Sequence, residues 1–533
     1  MEFCRERMYF VSWLICAATL IGSNGAYKIL ALAPYCGKSH WQVISPLLEE
    51  LVRRGHDLTV VSHYRSGGDD GTSRGENVDE GRYRNIYIGQ ADATCGMHTK
   101  NIDAIRLRSS LAEMHAVLES GVSEVCEKGL EHPEVQRLLS SDESYDLVIT
   151  EIFNSDCFLG FVEKLGAPTV AIRSAPLSPW SNDRMANPDN PAYVPNSLTG
   201  NPTRMTLLER LNNLIATIYY KALYAYYDRK CWMIARKHFG DHLPRLYEIA
   251  KKTSMILVNS HYSMQYARPL VPGIKEVAGM HIARPKPLPK ELDDWISGAK
   301  EGAIYFSLGS MLKSSSMSVE KRDAFLEAFG EMPQRVLMKW EDANLTGIPD
   351  NVKISAWAPQ YDVLRHPKVK LFISHGGMLS SIEAAYSGTP VMVIPAYGDQ
   401  PTNAALLEEN GMAIRVDYRS LTKRTILSVT KKLLYDARYE ASATKISSVI
   451  KDRLLPPVEE AAYWVEYVAR HKGAPFLKSP AIELPLHQYL LLDVGFILFL
   501  AFTALLAILF FLVRAFVAFL ARRRKPKNRE KKE

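Results

Sequence analysis

The residues best equipped for chemistry are gathered between Phe372 and Gln400, in the stretch FISHGGMLSSIEAAYSGTPVMVIPAYGDQ. His375, Gly376 and Gly377 follow an apolar run that ends at Ser374, and an amphipathic run with Ile382, Ala385 and Tyr386 comes next. Strand, glycine turn and helix in that order present free backbone N–H groups and the positive end of a helix dipole, which is a site for an anion, phosphate foremost. Glu383 stands about two turns into the helix, and a second apolar run, Val391 to Pro395, leads to Asp399 and Gln400. Polar side chains at the carboxyl ends of neighbouring parallel strands lie where open α/β sheets take ligands. A nucleotide carrying a polyhydroxyl group fits this set.

Weaker signals share that address. Ser310 closes the turn Ser307-Leu308-Gly309-Ser310, where its hydroxyl can bond a phosphate or cap the next segment. Trp357 and Gln360 follow another strand, Val352 to Ser355. An indole stacks on a planar base and an amide satisfies its polar edge, although a lone Trp is more often part of a core. Far upstream, His40 stands just after the first strand, and Glu151 directly ends the strand Leu147 to Thr150. An imidazole whose N–H is oriented by a carboxylate can take a hydroxyl proton on its other nitrogen. A helix-start histidine and a solvated acid explain the same two positions without chemistry.

Two α/β units are needed to hold these groups. Tyr27 to Ala33, a helix from Trp41 to Arg54 and Leu58 to Ser62 form a βαβ start. A loop containing Gly67 to Gly71 and one further strand follow, and amphipathic stretches from Ile105 to Leu139 lead to the strand Leu147 to Thr150. Then come a helix, Cys157 to Leu165, and the strands Thr169 to Ile172 and Met255 to Asn259. Between those last two, Leu207 to Tyr227 is strongly apolar and aromatic. It reads as a helix buried in the first domain, in preference to a membrane-surface or acceptor-lining segment. The proline-rich run Arg284 to Pro289 reads as a stiff linker. The second unit alternates helices with the strands Ala303 to Phe306, Val336 to Trp340, Val352 to Ser355, Val369 to Ile373, Val391 to Pro395 and Ala413 to Val416, and helices from Thr422 to Lys472 close it. The domain plan is therefore 27–283, a linker over 284–300, and 301–486, with strand ends facing a cleft.

At 533 residues, with 47% hydrophobic and 23% charged, the chain is globular and too long for one ordinary domain. Its formal charge of +7 arises wholly after Val513, where nine Lys or Arg meet two Glu. The neutral body argues against nucleic acid as a partner. The basic tail, 514–533, follows the uncharged run Val494 to Val513 within a span assigned to 489–513, about 30 Å of helix. One bilayer crossing with a cytosolic tail is expected, a type I topology. At the other end, charges up to Arg7, an apolar core from Met8 to Ile21 and small residues up to Ala26 read as a secretory signal over 1–26, which puts the body in the endoplasmic reticulum lumen or beyond. Of seven cysteines, Cys36, Cys95, Cys126, Cys157 and Cys231 outlast the signal; none is spaced for zinc and at least one is unpaired within the chain. Asn344-Leu345-Thr346 is a glycosylation sequon.

His375, Gly377, Glu383, Pro390, Pro395, Asp399 and Gln400, at these spacings, resemble the signature of the UDP-glycosyltransferases. The chain resembles an animal, insect-type, membrane-anchored member from its signal, through the SLGS turn and Trp357-Ala358-Pro359-Gln360, to the C-terminal span. The resemblance implies an α/β chain of the GT-B fold: two Rossmann-like domains facing a cleft, plus a C-terminal transmembrane helix, with acceptor bound mainly by the first domain and UDP-sugar by the second. It implies that Trp357 stacks on uracil, Gln360 contacts the nucleoside, and Ser310 and His375 contact the diphosphate, with Gly377 and Ser380 beside them. Glu383 then takes both ribose hydroxyls, Asp399 and Gln400 hold the sugar, and His40 is the catalytic base. Two departures stand out. Glu151, one methylene longer, occupies the place of an Asp in many relatives, so Asp156 is a second candidate to orient His40; and Leu379 and Ser380 replace Asn-Gly or Asn-Ser.

The expected reaction is inverting transfer of a hexose, glucose favoured, from a UDP-sugar to a hydroxyl of small lipophilic acceptors at the endoplasmic reticulum membrane, as in detoxification. Beyond the donor no cofactor is implied, nor a metal, and homo- or hetero-oligomerisation is left open. The alternatives are glucuronosyl transfer and a catalytically silent UDP-sugar-binding scaffold. An NAD-dependent oxidoreductase is disfavoured, because Pro34 to His40 lacks the glycine fingerprint.

Overall fold

The computed structural model describes residues 25–65, 81–89, 110–282, 285–310 and 312–523. Most of the signal, Cys95, the cluster from Gly67, the start of the linker at Arg284 and the tail from Arg524 lie outside them. Short runs such as ILALA, LVIT and TVAI are apolar on both faces, as strands covered on both sides must be. They assemble a seven-stranded sheet in the order β3-β2-β1-β4-β5-β6-β7. Its strands are β1 (Lys28–Ala33), β2 (Asp57–Ser62), β3 (Tyr83–Tyr87), β4 (Leu147–Glu151), β5 (Thr169–Arg173), β6 (Met255–Val258) and β7 (Ile274–Glu276). Every pairing is parallel.

A second, six-stranded parallel sheet runs β10-β9-β8-β11-β12-β13. It comprises β8 (Ala303–Ser307), β9 (Arg335–Lys339), β10 (Val352–Ser355), β11 (Val369–Ser374), β12 (Val391–Val393) and β13 (Ala413–Arg415). Each sheet winds outward from its first strand in one direction and then in the other. The reversals fall between β1 and β4 and between β8 and β11, the switch points at which such sheets bind ligands beyond their carboxyl ends.

Seven helices matter for the site and its support: α1 (Lys38–Arg53), α2 (Leu207–Phe239), α3 (Gln360–Arg365), α4 (Met378–Ser387), α5 (Gln400–Glu409), α6 (Pro457–Arg470) and α7 (Leu492–Arg523). Helix α2 corrects an expectation. Thr206 and Glu209 form a capping box at its start, and Tyr220, Leu223, Tyr224, Tyr227 and Cys231 are buried in the first domain. Leu208, Leu211, Ile215 and Ile218 are nevertheless exposed. Large apolar side chains thus stand on two sides of the helix, and the domain covers one of them.

Helix α6 follows the second sheet in sequence but packs on the first. Val458, Ala461, Val465 and Val468 join the core that β1 and α1 build with Ile29, Ile44 and Leu47. Its buried Glu466 accepts from Arg54 (3.2 Å) and pairs with His56 Nε2 (3.2 Å). The two sheets thus belong to one compact unit ending at Lys478. The remainder, Ser479–Glu533, is a separate unit dominated by α7, a 32-residue helix long and apolar enough to cross a membrane. Cys126 and Cys157 form a disulfide, Cys36 is disulfide-bonded as well, and Cys231 is a buried free thiol.

Candidate active site

His40 is the third residue of α1, just beyond β1, and Glu151 is the last residue of β4, so the two meet across the first switch point. His40 Nδ1 pairs with a Glu151 carboxylate oxygen and also meets Ser174 Oγ at 2.9 Å. Ser174 Oγ lies 3.4 Å from the same carboxylate oxygen. The Tyr35 and Phe153 rings pack edge-on against the imidazole, with centroids 4.6 and 4.3 Å away. With Nδ1 occupied by these two partners, Nε2 is the nitrogen left for a substrate proton. The longer Glu151 side chain therefore reaches the histidine.

Asp156 does not share this role. Both of its oxygens are held by the Arg184 guanidinium, one at 2.5 Å, and Tyr224 donates to it at 2.8 Å. All three are buried, both carboxylate oxygens are engaged within the domain, and none of these bonds goes to His40. Beside it Asp228 is pushed up to about 7, by burial first and then by the charge of Asp156. Ser174, by contrast, escaped sequence reading: a serine one residue past a strand has no type or spacing signal.

At the second switch point the turns after β8 and β11 touch. Gly309 has φ +88°, and a Cβ there would lie 2.6 Å from the His375 ring. Gly376 has φ +79°, and Gly377 begins α4 without a side-chain cap, which leaves the helix N–H groups for a ligand. His375 is buried, its Nδ1 has no partner among the described residues, and burial, helped by the charge of Lys339, pushes it down to about 4. It is neutral at neutral pH, so one ring nitrogen carries an N–H that can donate. Lys339, which the sequence did not single out, donates to the Gly309 carbonyl at 2.8 Å and so braces the turn with a cation. Ser310 is exposed at the end of that turn.

The nucleoside candidates converge through one amide. Gln360, opening α3, donates from Nε2 to Ser380 Oγ at 2.9 Å and to Glu383 on α4. Burial pushes the Glu383 carboxyl up to about 7 against the opposing Gln360 bond. Trp357, in the loop after β10, is 55% exposed, so its indole is not a core residue. Asp399 stands just before α5 without a side-chain cap bond, accepts from Asn403 Nδ2 at 2.9 Å, and is pushed up by burial; the charges of Arg173 and His40 act on it from the first domain. Gln400 spends its carbonyl on the Ala396 and Tyr397 N–H groups, at 2.8 and 3.1 Å, so its amide N–H groups are the part that can meet a sugar. Among the described residues no cluster of three His, Cys, Asp or Glu converges as a metal would require.

Two Rossmann-like sheets, one ending in an acid-oriented imidazole and the other in a phosphate turn flanked by hydroxyl acceptors, define a GT-B enzyme that uses a nucleotide-sugar. The chain matches, over residues 28–529, the family described as "UDP-glucoronosyl and UDP-glucosyl transferase", and it belongs to that family. It is a UDP-glycosyltransferase. It is 39% identical to UDP-glycosyltransferase UGT5 of Dactylopius coccus across 91% of each chain. To UDP-glucosyltransferase 2 of the same organism it is 36% identical, over 93% of this chain and 94% of the other. Among solved structures, a UDP-glucose: anthocyanidin 3-O-glucosyltransferase in complex with UDP shares the fold, with a TM-score of 0.56 at 16% identity over 83% of this chain and 99% of that one.

Proposed function

We propose that the enzyme transfers glucose from UDP-glucose, with inversion, to a hydroxyl of small lipophilic acceptors. The observation that carries this reading is His40, held at Nδ1 by Glu151 and Ser174 and near enough to Asp399 for their charges to interact. His40 Nε2 takes the acceptor proton as the acceptor oxygen bonds to the anomeric carbon. The bond from that carbon to the β-phosphate oxygen breaks, and UDP leaves with the electron pair. Neutral His375, Ser310 and the N–H groups at the start of α4 stabilise the charge that grows on the diphosphate. Glu383 accepts from the ribose, Trp357 stacks on uracil, Gln360 contacts the nucleoside, and Asp399 with the Gln400 amide holds the sugar. These groups need no metal and no cofactor beyond the donor.

The name of the 36% identical relative, UDP-glucosyltransferase 2, supports glucose, while the family description also covers glucuronosyl transfer. Residues 27–283 carry the acceptor side and 301–486 the donor side in this reading. A type I anchor through α7, with the body in the endoplasmic reticulum lumen, agrees with the disulfides of Cys36 and of Cys126–Cys157 and with the exposed sequon at Asn344. Detoxification by conjugation is the physiological role that follows. UDP release should be measured with UDP-glucose and with UDP-glucuronate across phenol, steroid and flavonoid acceptors. The expected result is acceptor-dependent release favouring UDP-glucose. His40→Ala is expected to lose turnover about 10²–10⁴-fold while still binding UDP; unchanged turnover would overturn the assignment of the base.

A further inference from the structure

Helix α2 has two apolar sides, and the fold covers one. Leu208, Leu211, Ile215, Ile218, Tyr226 and Met233 are each at least half exposed. Their spacing keeps them on one stripe that runs roughly 38 Å along the helix at 1.5 Å per residue. A stripe of this size, broken only where Arg229 stands between Tyr226 and Met233, is unusual on a protein that meets only water. The charged residues of α2 that are exposed, Arg210, Arg229 and Lys237, are all cationic, and the carboxylate of Glu209 is engaged in the capping box.

We propose that this side of α2 lies in the interfacial layer of a lipid bilayer containing anionic lipid, as a second membrane contact in addition to α7. The inference rests on the reading that α7 anchors the chain. An exposed apolar helix face with Arg210 at its edge and Arg229 and Lys237 toward its C-terminal end suits a planar interface, where the aliphatic side chains enter the acyl boundary and the long cationic side chains reach the headgroups. Tyr226 has the apolar ring and polar hydroxyl found at that depth. The anchor also keeps the bilayer at high effective concentration, so a contact too weak to recruit the protein alone can still persist.

The test uses the full chain in phosphatidylcholine–phosphatidylserine vesicles, with Ile215→Cys carrying a fluorescent label and Asp342→Cys as a control in an exposed loop of the second sheet. Spin-labelled lipid is expected to remove most of the fluorescence at position 215 and little at 342, with less quenching at 215 when phosphatidylserine is omitted. Flotation with the vesicles reads the anchor separately. A chain that floats but shows no lipid quenching at 215 overturns the α2 contact alone, and a chain that does not float overturns the anchor reading and this inference together. Iodide quenching then identifies what replaces lipid. Accessibility means water, protection that fades on dilution means a second copy, and protection at every concentration means another part of this chain; each result contradicts the proposal.

Discussion

In the proposed donor site, Glu383 is the group expected to set the pH dependence of donor binding. Burial holds its carboxyl up to about 7, and a carboxylate that accepts two ribose hydroxyls must be ionised, so donor binding releases a proton below that pH. UDP affinity is expected to rise with pH through about 7, by up to about tenfold per unit on the acid side, and Glu383→Gln should flatten the slope; calorimetry in buffers of different ionisation heat reads both. The same raised value means that the free protein holds this proton more tightly than the unfolded chain does. Its contribution to stability is full below the ordinary 4.5 and is lost as pH rises through about 7. On the other side of the cleft, Ser174→Ala is expected to lower kcat by about tenfold at unchanged KM for the donor, with recovery in Ser174→Thr, because the hydroxyl orients His40 without touching the donor. Asp156→Asn has a different signature: it leaves the Arg184 charge buried without its counter-ion and costs about 3–5 kcal/mol, visible in thermal unfolding. Glutamate and histidine announced themselves by type and position, whereas Ser174 gained its role from a neighbour in space.

The elements explain why those side chains meet. The catalytic and donor candidates sit at strand carboxyl ends or on the loops and helices that follow them, and the strand order puts β1 beside β4 and β8 beside β11. Apolar runs of four to six residues made the strands readable, and the glycines marked where they turn. Gly309 is the sharpest case, since a side chain would strain its φ of +88° by about 1–2 kcal/mol and drive a Cβ into His375. Gly309→Ala is expected to weaken UDP binding tenfold or more while leaving the rest of the sheet intact, which titration of Trp357 fluorescence would show. Element α2 is where the pattern misled. Leu, Ile and Tyr stand on two of its sides, and periodicity cannot say which of two apolar sides the domain will cover.

At the scale of the molecule, α6 ties the end of the unit that closes at Lys478 to its first strand and helix. A chain ended after Asp452 retains all the strands, β1 to β13, but strips Val458, Ala461, Val465 and Val468 from the first core and leaves His56 without Glu466. Such a chain is expected to be insoluble or to lose its cooperative unfolding transition, read by circular dichroism. Direct bonds also join the two sheet domains beside the donor site: Gly200 N–H donates to Thr402 Oγ1 at 2.9 Å, one turn into α5, and the Tyr386 hydroxyl donates to the Ala278 carbonyl at 3.2 Å. The two halves of the reaction are therefore held in one body.

By itself the sequence determined twelve of the thirteen parallel strands, all but β7, together with the glycine turns after β8 and β11 and the apolar C-terminal helix, because strand burial, glycine turns and bilayer length are local properties of consecutive residues. Tertiary structure alone decided that Glu151 and Ser174, not Asp156, hold His40, that α6 crosses to the first sheet, and that one side of α2 stays uncovered. Each of these is a choice among partners distant in the chain, made by packing and by which carboxylate is already satisfied, and nothing in the local spacing of residues encodes it.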